Sequence, residues 1–222
     1  MKKLDRALAT TPVCLSRFHY PRHSWDNVKS RDKKLIWNQI DLIQERFCVY
    51  CEMPACQGDR STGHIEHFYN KGSAVYKHLA FTWGNLFGCC SSTEHCGHFK
   101  DQIVNGSPRI YTASLLIKPD RDNPNEYLQF LSTGKVEPKE GVDDQKRQMA
   151  VVTIGALNLD CSKLSSSREN VIKGFNARIT ALNELLSENI VDETEYTQLY
   201  LEIKADVFFS IHRTAIYQVV FS

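Results

Sequence analysis

The sequence predicts an α+β fold: a small strand-bearing unit framed by cysteines, flanked by an N-terminal helix and a mainly helical C-terminal region. Three observations predict it. Six of the eight cysteines fall between positions 48 and 96. Inside that frame lie two short runs rich in aromatic and branched residues, 63–69 and 80–87, each the length of a strand. On both sides, apolar residues recur at three-to-four spacing, the period of a helix with one buried face. The 222 residues are 42% hydrophobic and 24% charged, ordinary for a globular protein and enough to bury a core.

Composition excludes several function classes. No apolar run approaches the ~20 residues of a membrane span. The N-terminal lysines have no continuous apolar stretch behind them, so no secretory signal is expected and the cytoplasm is the expected compartment. A formal net charge of +1 excludes nucleic-acid binding by bulk charge and leaves local binding open. Residues 1–47 carry ten Lys/Arg against five Asp/Glu, a basic end suited to backbone phosphates. Residues 163–222 carry six against eight, which reads as a solvated helical surface.

The elements follow in order. Residues 24–47 read as a helix, with Ile36, Ile40, Ile43 and Phe47 on one face. Residues 48–63 are knuckle and loop, with Gly58-Asp59 and Ser61-Thr-Gly63 as turn signals. The two strands enclose a loop, 70–79, carrying Lys71, Gly72 and Lys77. A short helix starts near Cys96 and is expected to reach about Val104. Pro119, Asp120, Asn123 and Pro124 mark turns; Leu128 to Phe130 and Lys135-Val136 flank Ser-Thr-Gly as a hairpin. Two long helices follow as an αα-hairpin. The first opens on Ser166-Ser-Arg-Glu169, read as a capping box, and carries Val171, Ile172, Phe175, Ile179, Leu182 and Leu186. The second starts near Asp192 and carries Tyr196, Leu199, Ile203, Val207 and Ile211. Such stripes are packing surfaces before they are anything else.

In a reducing compartment, clustered thiols bind metal more often than each other. Cys48-Val-Tyr-Cys51 has the two-residue gap that lets both thiolates reach one tetrahedral ion from a tight turn. Cys90 and Cys96 are expected to close the site from a second turn; Cys56 and Cys89 are the rival ligands. Cys14 and Cys161, far off among apolar residues, read as buried free thiols.

Chemistry concentrates in Gly63-His-Ile-Glu-His-Phe68, Trp83-Gly-Asn-Leu-Phe87 and Glu94-His-Cys-Gly-His-Phe-Lys100. His67, His95, His98 and Glu66 lie inside the cysteine frame. A neutral imidazole serves as general base near pH 7. A carboxylate with a second imidazole can hold a hard divalent ion and leave positions open for phosphate oxygens. Strand alternation should send His64 and Glu66 to one side and Ile65 and His67 to the other. His64 could thus be Glu66's partner on the ion, but a second-layer or surface place is preferred for it, with a twist or bulge bringing Glu66 and His67 to one phosphate.

Residues 48–101 resemble the ββα-metal module of HNH endonucleases: a cysteine knuckle, an acidic residue followed by His, Asn-Leu, a second knuckle, and a Lys on a helix. Ile65-Glu-His-Phe68, Leu79-Ala-Phe-Thr-Trp-Gly-Asn-Leu-Phe87 and His95-Cys-Gly-His-Phe-Lys-Asp101 are similar to the HNH nuclease component of Septu-type and retron-associated anti-phage systems of bacteria. Leu116-Ile-Lys-Pro119 and Thr153-Ile-Gly-Ala-Leu-Asn-Leu159 extend the likeness more loosely.

The resemblance implies roles. His67 falls at the general-base position and Glu66 at the first metal-ligand position. Asn85 would steady the loop that carries the base. Cys48, Cys51, Cys90 and Cys96 would hold a structural Zn²⁺. A catalytic Mg²⁺ (or Mn²⁺) would sit on Glu66 and a histidine. Gly97 stands where the family places that second ligand, so the role passes to His98, with His95 as rival. The gap between Cys90 and Cys96 is five residues rather than the common two, which keeps Cys89 as an alternative, and Asn70 replaces a frequent proline. Lys71 and Lys100 are the expected phosphate contacts.

The implied organisation is a basic helical segment at 1–47, the nuclease module at 48–112, and a partner-docking region at 113–222. The implied substrate is DNA, cut to 5′-phosphate and 3′-hydroxyl ends. The implied partners are an ATPase of the ABC/SMC-like type and, in a retron, a reverse transcriptase with its RNA–DNA hybrid. The competing expectations are a non-catalytic zinc-stabilised module that binds nucleic acid or protein, and an RNase.

Overall fold

The computed structural model describes residues 1–57 and 62–222. The expected turn signals Gly58, Asp59 and Ser61 lie outside the described residues. Helix α1, Ser30–Gln44, buries Ile36, Trp37, Ile40 and Ile43 along one face. It is shorter than 24–47 at both ends. Ser24 and Asn27 close a separate 3-10 turn, with the Ser24 N–H donating to Asn27 Oδ1 at 2.8 Å. At the other end Glu45 (φ 54°) and Arg46 (φ 67°) are left-handed, which stops a helix.

Strands β1 (Gly63–His67) and β2 (Leu86–Cys90) pair antiparallel without a break, Gly63 opposite Cys90 and His67 opposite Leu86. The second strand sits further along than 80–87. Residues 80–85 are turn, held by the Asn85 side chain: Oδ1 accepts from Tyr69 N at 2.8 Å, and Nδ2 donates to Tyr69 O at 3.1 Å and Leu79 O at 3.2 Å. The Asn85 backbone O accepts from Phe68 N at 2.9 Å, and the ladder begins directly after it, at Leu86. Helix α2, Cys96–Lys100, stops short of Val104. Ile103–Val104 (β3) instead pairs with Ser107–Pro108 (β4) across Asn105-Gly106, both left-handed, the geometry that Asn-Gly favours in a two-residue hairpin.

The hairpin of β5 (Leu128–Phe130) and β6 (Val136–Pro138) lies where expected. Its Gly134, at φ 74°, passes so close to the later helix that carries Ser165 that a β-carbon would meet Ser165 O at 1.9 Å. Helix α3, Asp144–Leu157, is absent from the sequence reading; its buried face is Met149, Ala150, Thr153 and Leu157, too small and mixed to show a stripe. Helix α4, Ser162–Ser187, starts four residues before the expected capping box. Glu169 lies inside it and pairs with Lys173 at 2.7 Å instead. Helix α5, Glu193–Asp206, begins as expected, with Asp192 Oδ1 accepting from Thr194 N (2.8 Å) and Glu195 N (2.9 Å). It does not run to Ile211. A 3-10 turn, Val207–Phe209, and helix α6, Arg213–Val220, follow it.

Helix α6 starts where it does because it docks on the cysteine knuckle. His212 is left-handed (φ 56°), its Nδ1 sits 2.7 Å from Cys51 O, and Thr214 binds both oxygens of buried Glu52 (2.9 and 2.7 Å). Buried Arg168 of α4 donates to Gly134 O and Leu159 O. One hydrophobic core joins the N-terminal segment, α1, β1, β2, α3 and the start of α4; a second, of Phe175, Val207 and Ile216, lies among α4, α5 and α6. Among the described residues, no helix is long and apolar enough to cross a membrane.

Candidate active site and metal cluster

Because the β1–β2 ladder has no bulge, alternation holds along β1. His64 and Glu66 share a face. His64 Nε2 is 3.3 Å from Glu66 Oε2, and the His98 ring from α2 stacks on His64 with centroids 3.9 Å apart. Glu66 is buried. Its Oε1 accepts from Tyr50 OH at 3.3 Å and pairs with Lys100 Nζ at 3.1 Å. Burial alone would raise the Glu66 pKa; Lys100 and His64 more than offset this and hold it to about 2. Burial lowers the His98 pKa, and neighbouring His64 adds to the effect.

Lys100 is not a surface phosphate contact. It is fully buried, with Nζ 2.8 Å from Asp101 Oδ1 and donating to His67 O (3.2 Å) and Phe68 O (3.3 Å). Burial opposes its charge, but Glu66 and Asp101 hold the pKa above the ordinary lysine range. Lys71 is exposed, as a contact with a backbone phosphate requires, and its charge reaches His67.

His67 faces away from Glu66, toward the N-terminal segment. Trp25 packs edge-on against its ring, with centroids 4.4 Å apart. Nε2 lies 3.1 Å from Ala80 O, in the loop that Asn85 closes. In the neutral ring Nε2–H donates there, which leaves the lone pair on Nδ1. Nδ1 is buried and has no hydrogen-bond partner. Burial lowers the His67 pKa to about 3, with Lys71 acting in the same direction, so the ring is neutral at pH 7.

The second site is a buried cluster of Cys48, Cys51, Cys89, Cys90, Cys96 and His95. Cys48 Sγ lies 3.8 Å from Cys89 and 3.9 Å from Cys96; Cys51 Sγ lies 3.7 Å from Cys90. His95 Nδ1 lies 3.2 Å from Cys96 Sγ and 3.9 Å from Cys90 Sγ. The edge of a tetrahedral zinc–sulfur site is about 3.8 Å, so these donors fit a metal ion. His95 therefore faces the thiols rather than Glu66, which removes it as the rival ligand for the catalytic ion. Cys56 stands outside the cluster, partly exposed, and Cys89 stands within it. Cys14 is buried and Cys161 only partly so.

Sequence reasoning missed three participants. Tyr50 lies between the cysteines of the knuckle and signalled nothing. Trp25 sits far outside the module in sequence. Ala80 contributes only a backbone carbonyl, which no side-chain pattern can reveal.

No family model matches the sequence. Three curated relatives are similar to it. The protein assigned as the HNH endonuclease of retron Ec83 from Escherichia coli is 20% identical over 79% of this chain and 81% of its own length. The Septu protein PtuB of Bacillus mycoides is 28% identical over 69% of this chain and 55% of its own. The protein assigned as the HNH endonuclease of retron Vc95 from Vibrio cholerae is 23% identical over 64% of this chain and 65% of its own. The chain is thus similar, at low identity, to HNH endonucleases of retron and Septu systems.

Proposed function

We propose that this protein is a metal-dependent endonuclease that hydrolyses DNA phosphodiester bonds, as the effector of a bacterial anti-phage complex of retron or Septu type. The observation that carries the reading is the His67 ring. Its Nε2 is fixed by Ala80 O, while its Nδ1 is a buried acceptor with no donor. His64 Nδ1 is likewise buried without a partner, but only in His67 does the other nitrogen meet a backbone carbonyl, which fixes the tautomer and leaves Nδ1 free to accept a proton.

Glu66, with His98 and His64 beside it, would hold the catalytic ion. The fit rests on the donor set, a carboxylate and imidazoles, and on a glycine at position 97 that leaves the carboxylate room. The three form a looser group than the cysteines do. When bound, Mg²⁺ or Mn²⁺ there offsets charge on the phosphate and on the leaving 3′ oxygen. For His67 Nδ1 to take the proton from the attacking water, the side of the ring that Trp25 covers must open to solvent, while Ala80 O holds the ring through Nε2. Lys100 keeps Glu66 and Asp101 ionised and in place. Lys71 binds a flanking phosphate. The cysteine cluster holds zinc and stabilises a unit whose own core is small. The docking partner, an ABC/SMC-like ATPase, would meet the α4–α5 hairpin, since α5 buries none of its own residues. In a retron, the reverse transcriptase and its RNA–DNA hybrid would complete the assembly.

The test is cleavage of plasmid DNA and of RNA by the purified chain with its co-expressed partner, with and without Mg²⁺ or Mn²⁺. Ion-dependent DNA cleavage that His67→Ala lowers at least about 100-fold, with zinc content unchanged, supports the reading. Cleavage of RNA alone makes it a ribonuclease. Nucleic-acid binding without cleavage under every condition leaves a binding module.

A further inference from the structure

The cysteine cluster contains more donors than one tetrahedral ion can take. Six side chains enter it: Cys48, Cys51, Cys89, Cys90, Cys96 and His95. They fall into two sets of four, each with all donor atoms within 4.8 Å of one another. One is Cys48, Cys89, Cys90 and Cys96; the other is Cys51, Cys90, His95 and Cys96. The sets share Cys90 and Cys96, and they divide the C-x-x-C pair between them.

We propose that the cluster binds two zinc ions bridged by the Cys90 and Cys96 thiolates, with Cys48 and Cys89 completing one tetrahedron and Cys51 and His95 the other. The donor count closes: two four-coordinate ions need eight bonds, and four terminal donors plus two bridging ones make eight. The observed separations run along the edges of the two tetrahedra. In the first, Cys48 stands 3.8 Å from Cys89 and 3.9 Å from Cys96. In the second, Cys51 stands 3.7 Å from Cys90, and His95 Nδ1 stands 3.9 Å from Cys90 and 3.2 Å from Cys96. An edge of about 3.8 Å is what a zinc–sulfur bond of about 2.3 Å produces.

Two further observations favour Cys89 as a ligand over a spare thiol. It is fully buried, and it accepts the Gly97 N–H at 3.3 Å, the kind of outer bond that steadies a metal-bound thiolate. Charge also favours two ions. Five thiolates and a neutral imidazole on two dications leave one negative charge. The buried guanidinium of Arg168, held on Gly134 O and Leu159 O, is a cation whose charge acts on Cys51 and Cys96 and would offset it. Four thiolates on a single ion would leave two negative charges against the same guanidinium. Each ion that binds displaces the thiol protons to solvent. A cavity of about 480 Å³ lined by Cys90, His95, Glu94 and Lys163 gives access from outside.

The experiment measures zinc per chain on the full-length protein, purified under a phosphine reductant without chelator, by plasma mass spectrometry and native mass spectrometry. The expected result is two zinc ions per chain, falling to about one in Cys89→Ser and in His95→Ala. Cadmium-113 substitution should give two resonances in the wild type. One zinc per chain in the wild type, unchanged by either substitution, overturns the proposal, as does a single cadmium resonance. Should Cys89→Ser not fold, His95→Ala and the wild-type cadmium spectrum still decide. None of these readouts depends on nuclease activity.

Discussion

Gly97 lies against the Glu66 carboxylate: a β-carbon at position 97 would stand 2.3 Å from Oε2 and 2.6 Å from Cδ. The glycine where the resemblance implies a metal ligand is thus the space that Glu66 occupies. The carboxylate cannot swing freely aside, because Tyr50, His64 and Lys100 hold it. Gly97→Asn, which supplies the side chain the family pattern asks for, should therefore displace Glu66. We expect divalent-ion-dependent cleavage to fall by at least tenfold and stability to drop by about 1–3 kcal/mol, the usual range for overpacking. Ion titration of cleavage together with thermal unfolding checks this; normal ion dependence in the Gly97→Asn variant would mean that Glu66 is not the ligand.

Lys100 separates two roles that its sequence position merged. As a surface phosphate contact, its loss would weaken DNA binding and leave the fold alone. As the buried counter-ion of Glu66 and Asp101, its loss leaves two carboxylates uncompensated. Lys100→Met should cost about 3–5 kcal/mol, the range for breaking a buried pair from one side. Adding Glu66→Gln should recover part of that loss, because the two residues share one interaction. Denaturant unfolding of the single and double variants measures both numbers.

The same residue shows where the sequence is legible and where it is not. Spacing placed Cys48, Cys51, Cys90 and Cys96 in one neighbourhood, because it depends on local geometry; the twist or bulge expected to bring Glu66 and His67 to one phosphate is absent from the unbroken ladder, and plain alternation puts His64 beside Glu66 instead. Two elements were misplaced by local signals that tertiary bonds overrule. The aromatic run 80–87 looks like a strand, yet the Asn85 amide ties its first part into a turn. The stripe through Ile211 looks like one helix, yet His212 and Thr214 bind the knuckle, more than half the chain away in sequence, and force a new start. Helix α3 was missed because Ala150 and Thr153 give no stripe. The burial of Lys100 could not be read, since a lysine after a histidine and a phenylalanine looks the same on a surface as in a core.

The same bonds to the knuckle change how partner docking has to be tested. Removing residues 163–222 would take away Arg168, His212 and Thr214, so the truncated chain should lose its fold and report nothing about docking. Leu201 on α5 and Phe209 after it are exposed, 57% and 79%, and neither ties the helices to the module. Leu201→Lys with Phe209→Lys should change stability by no more than about 0.5 kcal/mol. Co-purification with the proposed ATPase partner should fall by at least tenfold while metal content stays as in the wild type. If association persists, the partner binds elsewhere.

His212 makes acid stability measurable at a known place. Its Nδ1–H donates to Cys51 O, its Nε2 lies 2.9 Å from Ser167 Oγ, and burial lowers its pKa to about 4 from the usual 6.5. A lowered histidine pKa means that the unfolded chain binds a proton more readily than the folded one between those values. The neutral ring's contribution is thus whole above about pH 6.5 and is lost progressively as the pH falls toward 4. At about 1.4 kcal/mol per pKa unit the loss is on the order of 3 kcal/mol. His212→Asn has nothing to titrate there, and Asn accepts the left-handed backbone at this position. The stability gap between wild type and variant should be full and level from about pH 8 to about pH 6.5 and shrink steadily from there to about pH 4.5. The comparison is made by urea unfolding at matched zinc concentration. A gap that stays constant over that range would show that the ring titrates alike in the folded and unfolded chain.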